Sequence, residues 1–254
     1  MHAEKLQSIV LSCIDYGDSD RIVSLFTLEH GRIKAFARGA RKSRKRFGPA
    51  LEPFARIDAQ ARVKEGLSSL QQADIISIYP NIRADLGRIA HALYACELVD
   101  VITPEGHPLP RLYRLLTAYL DRLEAETAVE GDRRFFEINL LNILGYRPAL
   151  ETCTRCDSPF GDTGAWLMEG GGQVCRFCST AGRPLSSDTL KTLMACLKTG
   201  IFGQVGFPAA SLQQSGYLLD EAISAHAGRR LKSLEFLQQV SLYIVLSVRK
   251  SLTK

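Results

Sequence analysis

Two Cys-x2-Cys pairs, Cys153 with Cys156 and Cys175 with Cys178, lie eighteen residues apart and restrict how the middle of this chain can fold. Each pair can turn back on itself and aim two sulfurs at one point, so the four together make a tetrahedral thiolate site that suits Zn2+. Four thiolates also close the coordination shell, which leaves no position open for water or substrate. The spacing therefore predicts one structural zinc ion per chain.

The alternatives to a metal site are two disulfides, or a degenerate or redox-active pair of motifs. A thioredoxin-like motif opens a helix directly after a strand, but Cys153 follows Pro148 and Cys175 follows the glycines at 170–172. These contexts favour metal binding. The remaining three cysteines lie in apolar strand or helix patterns and are expected to act as small buried hydrophobic residues: Cys13, Cys96 and Cys196.

The first eighty residues have the pattern of β-strands separated by turns such as Gly17–Asp20 and His30–Gly31. Five strands in about eighty residues, with the longest loop between the third and the fourth, fit a small closed barrel of the OB type. An SH3-like barrel or an open sheet is the competing geometry. The predicted strands are residues 6–16, 21–28, 32–38, 54–64 and 70–79.

From Ile82 onward the apolar period changes from two residues to about 3.6, which indicates helices. Further helices are predicted at 112–123, 135–144, 187–198, 212–225 and 231–248. The predicted fold class is therefore α+β: an N-terminal five-stranded OB-type barrel (1–80), then a helical domain (81–254) with the zinc module inserted at 150–184. The first helical stripe consists of Leu86, Ile89, Leu93, Leu98 and Ile102.

Positive charge is concentrated near the N-terminus, where residues 1–80 hold 13 Lys and Arg against 9 Asp and Glu. Six of the nine residues from Arg38 to Arg46 are basic, and Phe36, Phe47 and Phe54 flank them. Single-strand binders combine phosphate-neutralising charge with stacking rings, so this segment predicts nucleic-acid contact. A solvated loop or a sorting signal is the alternative. The candidate nucleic-acid-binding residues are Lys34, Arg38, Arg41, Lys42, Arg44, Lys45, Arg46 and Phe47.

Among the flanking rings, Phe47 is the favoured stacking residue because it lies between Arg46 and Gly48. Phe36 alternates with Ala35 and Ala37, which fits a core position equally well.

The sequence contains no recognisable catalytic motif. It has neither a Gly-x4-Gly-Lys-Ser/Thr phosphate loop nor a Gly-x-Ser-x-Gly turn, and its five histidines are scattered. We therefore predict no catalytic residue and no enzymatic activity. No apolar run approaches the length of a membrane span, and seven cysteines fit a reducing compartment, so we expect a cytoplasmic, nucleoid-associated protein.

Three motifs and the first two strands resemble those of the RecO family of bacterial recombination mediators and DNA-repair proteins. Residues Arg38 to Phe54 resemble the family's A-R-G-A-R-K … L-(Q/E)-P-F signature, and residues 15–32 look like its first two strands. Tyr94 to Leu98 resembles a Y-x-x-E-L helix, and Phe136 to Pro148 resembles the F-E-x-x-L-L … L-G-Y-x-P stretch before the first cysteine pair.

The resemblance implies an OB fold, a helical body and a zinc module. It also implies binding of single- and double-stranded DNA, annealing of complementary strands, and RecA loading together with RecR on DNA coated by single-strand-binding protein. Two other classes remain open: an RNA-binding or transcription-associated OB/zinc-ribbon protein, and an enzyme whose site forms only in three dimensions.

Overall fold

The structure, a computed structural model, describes residues 2–252, and side chains in the last helix only as far as Tyr243. The chain forms two compact units. The first consists of Met1–Ala128 and Leu231–Lys254, and the second of Val129–Arg230. The domain boundary predicted at residue 80 stays a prediction.

Five strands form a closed barrel in the first unit, in the order β1-β2-β3-β5-β4. Neighbouring strands are antiparallel except β3 and β5, which pair in parallel, and β4 returns to β1 to close the barrel. The closed OB-type barrel is thus confirmed, and each strand lies within three residues of its predicted bounds. The strands are β1 (Glu4–Tyr16), β2 (Asp20–Thr27), β3 (Gly31–Ala37), β4 (Arg56–Arg62) and β5 (Leu67–Ser77).

Strict alternation fills the barrel with apolar side chains and leaves polar ones outside. On β3, Ile33, Ala35 and Ala37 are buried, whereas Lys34 is exposed and Phe36 is partly exposed. Small alanines on β3 and β4 suit the narrow interior of a five-stranded barrel. Phe36 therefore lies on the outer face, which decides between its two predicted positions.

Within the described residues, four helices complete the first unit. They are α1 (Pro80–Ala84), α2 (Leu86–Ile102), α3 (Pro110–Ala125) and α7 (Lys232–Leu252), which follows the second unit in sequence. The first helix begins at Pro80, two residues before the predicted start at Ile82, and a separate helix begins after Asp85, whose side chain accepts a hydrogen bond from the Arg88 amide at 2.8 Å. Such an N-cap satisfies an amide that the new helix leaves without a partner.

The apolar stripe predicted on α2 is wrong at its start, because Leu86 is 48% exposed. The buried positions instead include Ala90, Tyr94, Ala95 and Val99, since α2 packs against β1, α3 and α7 at once. A helix covered on several sides has no single apolar face for periodicity to reveal.

Hydrogen bonds from α2 attach it to the barrel and to α7. The Asp100 carboxylate accepts hydrogen bonds from Ser12 Oγ at 3.1 Å and Ser24 Oγ at 2.7 Å. Glu97 accepts from the Ser233 amide at 2.7 Å and its hydroxyl at 2.6 Å. The helix therefore covers the part of the β1–β2 outer face that carries these serines.

The second unit contains three helices, α4 (Glu130–Leu144), α5 (Ser187–Thr199) and α6 (Ala209–Ala227). Arg134 on α4 is buried between two carboxylates, with Nη1 2.7 Å from Glu137 and 2.7 Å from Asp220 on α6. A buried charge is tolerated only when it is paired in this way. Ser186 caps α5, because its hydroxyl accepts a hydrogen bond from the Thr189 amide, and Gly200 ends the helix in the left-handed region.

A three-stranded sheet lies between α4 and α5 in sequence, and the second cysteine pair lies between its last two strands. It consists of β6 (Ala165–Leu167), β7 (Gln173–Val174) and β8 (Arg183–Leu185), in the order β7-β6-β8. Strands this short form few backbone hydrogen bonds. Over residues 2–252, no helix is both long and apolar enough to cross a membrane.

Candidate nucleic-acid interface and metal centre

All the predicted nucleic-acid-binding residues except Lys34, which lies on β3, are in the connection between β3 and β4, and we call residues 38–47 the basic loop. Backbone hydrogen bonds attach this loop to the β1–β2 turn. The Gly39 amide donates to Asp20 Oδ1 at 2.7 Å, and the Arg41 amide donates to the Ser19 carbonyl at 3.0 Å. The loop therefore has a defined position at one end of the barrel.

Arg46 holds the loop in shape. Its Nε donates to Ser43 Oγ at 3.1 Å and its Nη2 to the Arg38 carbonyl at 2.8 Å, while the guanidinium lies 4.9 Å from the Phe47 ring centroid. Gly39 has φ +66°, and a Cβ there would lie 3.1 Å from Arg46 Nη2. The guanidinium donors of Arg46 are thus largely used within the protein, unlike the side-chain donors of its basic neighbours.

The other basic side chains around the loop are exposed to solvent. Within residues 2–252, the structure gives the side chains of five of them no hydrogen bond or ion pair. Because their charges are not neutralised by protein groups, they are free to attract phosphates. These five residues are Lys34, Arg38, Lys42, Arg44 and Lys45.

Beneath the loop is an open recess of about 390 Å³ lined by three arginines, Arg21, Arg41 and Arg44, and by Glu52. The Asp15 carboxylate lies 3.0 Å from Arg21 Nε and 3.6 Å from Arg41 Nε, and Arg21 Nη1 lies 3.3 Å from Glu52. The carboxylates orient the guanidiniums and also partly neutralise them. A phosphate bound here would share Arg41 with Asp15.

The burial of Phe47 corrects its predicted role. Phe47 is 2% exposed and belongs to the apolar core of the barrel, and Phe54 is 3% exposed. A buried ring has no free face for a base, so Phe47 is no longer a stacking candidate. On the barrel surface, Phe36 instead contacts the exposed ring of Tyr16, edge to face at 5.9 Å between ring centroids.

Sequence reasoning missed Tyr16. The signal that finds it is the alternation on β1: Cys13 packs against the core, so Ile14 and Tyr16 are on the outer face, and they are 65% and 57% exposed.

The four predicted cysteines come together in the second unit. Their Sγ atoms lie within 4.8 Å of one another, and Cys156 Sγ is 3.7 Å from Cys175 Sγ. Four sulfurs about 2.3 Å from a central ion would be about 3.8 Å apart at the corners of a tetrahedron. All four are free thiols rather than disulfides. The cluster therefore fits a metal ion with four thiolate ligands.

Backbone groups favour the metal-binding form of the first knuckle. Burial works to raise the pKa of the Cys153 thiol, but amides of Cys175, Arg155 and Cys156 hydrogen-bond to the sulfur and lower the pKa to about 6. The hydrogen bond with Cys156 is the main cause that raises the pKa of Cys178, to about 12. A metal ion binds thiolates, so its binding displaces the proton that Cys178 keeps in its absence.

The remaining cysteines lie away from this cluster in the sequence. Cys96 and Cys196 are fully buried, as predicted, whereas Cys13 is only partly buried and packs against the barrel core. Burial is the main cause that raises the pKa of all three thiols. A raised pKa keeps a thiol protonated and inert.

A closed OB-type barrel with a cationic loop, followed by helices and a four-cysteine cluster, defines a class of OB-fold proteins with a metal-binding module. Comparison with known families is specific: the family described as "Recombination protein O N terminal" matches residues 1–79, and "Recombination protein O C terminal" matches residues 83–235. The chain belongs to the RecO family of DNA repair proteins.

Curated relatives agree over nearly the full length. A protein named "DNA repair protein RecO" from Pelobacter propionicus is 67% identical, covering 95% of this chain and 98% of the relative. The protein of the same name from Geobacter sulfurreducens is 51% identical, covering 95% and 100%. That from Anaeromyxobacter dehalogenans is 38% identical, covering 94% and 98%. The resemblance noted in the sequence is confirmed.

Proposed function

We propose that this protein is a DNA-binding recombination mediator that binds single- and double-stranded DNA through the basic loop and the adjoining barrel surface. The observation that carries the proposal is the set of unpaired cations on a loop whose backbone is fixed to the barrel. Lys42, Arg44 and Lys45 are exposed, and protein carboxylates do not neutralise them within the described residues. Such charges attract any phosphate backbone, whatever its sequence.

We further propose that the protein anneals complementary strands without enzymatic catalysis. Strands repel each other through their phosphates, and cations that neutralise phosphates on both strands lower this repulsion. Base pairing then supplies the driving force, so no covalent step or nucleotide hydrolysis is needed. No catalytic residue is assigned in this proposal.

The ion that we propose for the cysteine cluster is Zn2+, one per chain, in a structural role. Thiolates select soft or borderline ions, and a tetrahedral set of four sulfurs is typical of structural zinc. All four ligands come from this chain, so the ion would hold the two knuckles together and leave no coordination position for substrate. Metal analysis of the purified protein should find about one zinc per chain.

The family supports the partners that we propose: RecR, single-strand-binding protein and, indirectly, RecA, with the protein located at the nucleoid. The relatives named "DNA repair protein RecO" place this family in repair. A RecA-loading assay on DNA coated by single-strand-binding protein, with and without RecR, tests these partners. An RNA-binding function is the competing proposal, and preference for RNA over DNA of equal sequence would favour it.

The decisive test of DNA binding is its salt dependence. The variant Lys42→Ala/Arg44→Ala/Lys45→Ala should bind single strands more weakly and reduce the slope of log affinity against log salt by about 2, at about 0.7 per lost contact. The matched control removes three exposed cations from helices α3, α5 and α7, Arg111→Ala/Lys198→Ala/Lys232→Ala. It should keep the parental slope. An unchanged slope in the loop variant would place the DNA path elsewhere.

A further inference from the structure

The outer face of the barrel carries a continuous apolar surface at the end nearest the basic loop. Ile14 on β1, Ile22 on β2 and Phe36 on β3 are directly opposite one another in the strand register, and Tyr16 follows Ile14 on the same face. Ile14 is 65% and Tyr16 57% exposed, and the other two are partly exposed. We call these four residues the apolar platform.

The neighbouring part of the same face is covered, which makes the exposure of the platform informative. One row further along the strands, Ser12 and Ser24 lie under α2 and donate hydrogen bonds to Asp100. The helix thus covers that row, while the row of Ile14 and Phe36 is open to solvent. A contiguous exposed apolar surface on a folded domain marks a binding site more often than scattered residues do.

The surroundings of the platform indicate what binds there. Lys34 lies beside Phe36 on the outer face of β3, and Arg38 follows the strand. The β1–β2 turn next to Tyr16 is hydrogen-bonded to the basic loop through Gly39 and Arg41. Cations along a backbone path beside exposed rings are the combination that binds unpaired bases.

We propose that the apolar platform stacks the bases of single-stranded nucleic acid and thereby gives the protein a preference for single strands over duplex. Bases of a duplex are already stacked and paired inside the helix, so they cannot lie on Tyr16 or Phe36. The basic loop attracts the phosphates of both forms, whereas the platform contributes only to the unpaired form. This inference rests on the proposed DNA binding and assigns the strand preference to different residues.

The test compares single and double strands in the full-length protein. The variant Tyr16→Ala/Phe36→Ala should lose about tenfold or more in affinity for an oligo(dT) of about 16 nucleotides, since each stacked base contributes measurably. Its affinity for a duplex of the same length should stay within about twofold, and its salt slope should not change. Tyr16→Phe/Phe36→Tyr keeps both rings and should bind like the parent.

The matched control removes exposed apolar side chains elsewhere on the barrel. Ile75 and Ile76 on β5 are 46% and 42% exposed, and Ile75→Ala/Ile76→Ala should leave single-strand affinity unchanged. Thermal melting of every variant reports folding. A folded Tyr16→Ala/Phe36→Ala protein that binds oligo(dT) like the parent, or that loses single-strand and duplex affinity equally, would overturn the proposal.

A second readout responds only to stacking. Trp166 is the only tryptophan of the chain, so Tyr16→Trp in a Trp166→Phe background places one fluorophore on the platform. Its emission should be quenched by oligo(dT) and much less by duplex. No quenching on saturation, or platform variants that change only self-association, would mean that the surface binds something other than bases.

The two proposals fail in different ways. If the basic-loop variant loses affinity while the platform variants behave like the parent, DNA binding stands and the platform proposal falls. If the basic-loop variant binds all DNA like the parent, with an unchanged salt slope, the proposed function itself falls.

Discussion

The barrel and the cysteine module obtain their stability from different sources. The barrel buries apolar side chains on all five strands, including Leu6, Leu25, Ile57 and Leu70. The module relies on strands of two or three residues and on four sulfurs within 4.8 Å of one another. A five-stranded barrel with a large apolar core can leave cations unpaired on its surface, whereas a module of such short strands gains folding free energy from a bound metal. We therefore propose that the barrel contacts DNA and that the metal has a structural role.

The largest expected effect is unfolding of the cysteine module while the barrel stays folded. Cys175→Ser should abolish metal binding and unfold the region around 150–184, because metal binding in such modules contributes about 10 kcal/mol to folding. Limited proteolysis and metal analysis measure this loss. Cys13→Ser, which changes a thiol on β1, should retain the metal. A metal-loaded, protease-resistant Cys175→Ser protein would show that the sulfurs do not share an ion.

Charge reversal on the basic loop tests whether the barrel binds DNA through these cations. Arg44→Glu/Lys45→Glu should lower affinity for single strands and duplex alike by about 100-fold at low salt, because each change replaces attraction of phosphate by repulsion. The corresponding alanine variant should lose less. Metal content should equal that of the parent, and its loss would mean that the two regions do not fold separately.

Arg46 should differ from its neighbours because its fork is used within the loop. Arg46→Lys keeps the charge but not the paired bonds to Ser43 and Arg38, so it should weaken DNA binding about fivefold. Hydrogen exchange of residues 38–47 should become faster. Arg44→Lys is the matched control and should change neither quantity. If Arg46→Lys and Arg44→Lys behaved alike, Arg46 would have no structural role in the loop.

The smallest expected effect is a gain in DNA affinity. Asp15 lies 3.6 Å from Arg41, and Asp15→Asn should release that guanidinium for phosphate and raise DNA affinity about twofold, a modest change because exposed ion pairs are weak. Asp18→Asn makes the same change in net charge in the adjoining turn, where the structure gives the Asp18 side chain no ion pair within residues 2–252. If both variants gain equally, net charge explains the effect and the pairing of Asp15 with Arg41 does not.

Much of the fold and of the metal site follows from local sequence patterns. The alternation in strands and the spacing of Cys153 to Cys178 are local signals. The barrel is confirmed, and the four cysteines come together in a cluster that could hold a metal ion. The predicted stacking role of Phe47 is wrong because a loop has no alternation to show which side chains turn inward. Its ring contributes to the barrel core only through the tertiary path of the loop.

The outward direction of Tyr16 follows from the alternation on β1, but its exposure, like that of Leu86 at the start of α2, could not be predicted, for a related reason. The exposure of Tyr16 depends on which part of the β1–β2 face α2 covers, and this is set by Asp100 at a distance in sequence. Leu86 is exposed although it is apolar, because α2 packs against its neighbours through other positions along the helix. Long-range packing decides both, and periodicity does not record it.

The central claim is that the basic loop acts by neutralising phosphates and not by catalysis. The most direct measurement is the rate of annealing of complementary strands, without nucleotide or free Mg2+, across the parent and the loop variants. The account predicts that the rate falls as salt rises and declines in parallel with DNA affinity from the alanine to the glutamate variants. A single carboxylate or histidine substitution that abolished annealing while folding and DNA affinity stayed unchanged would contradict it.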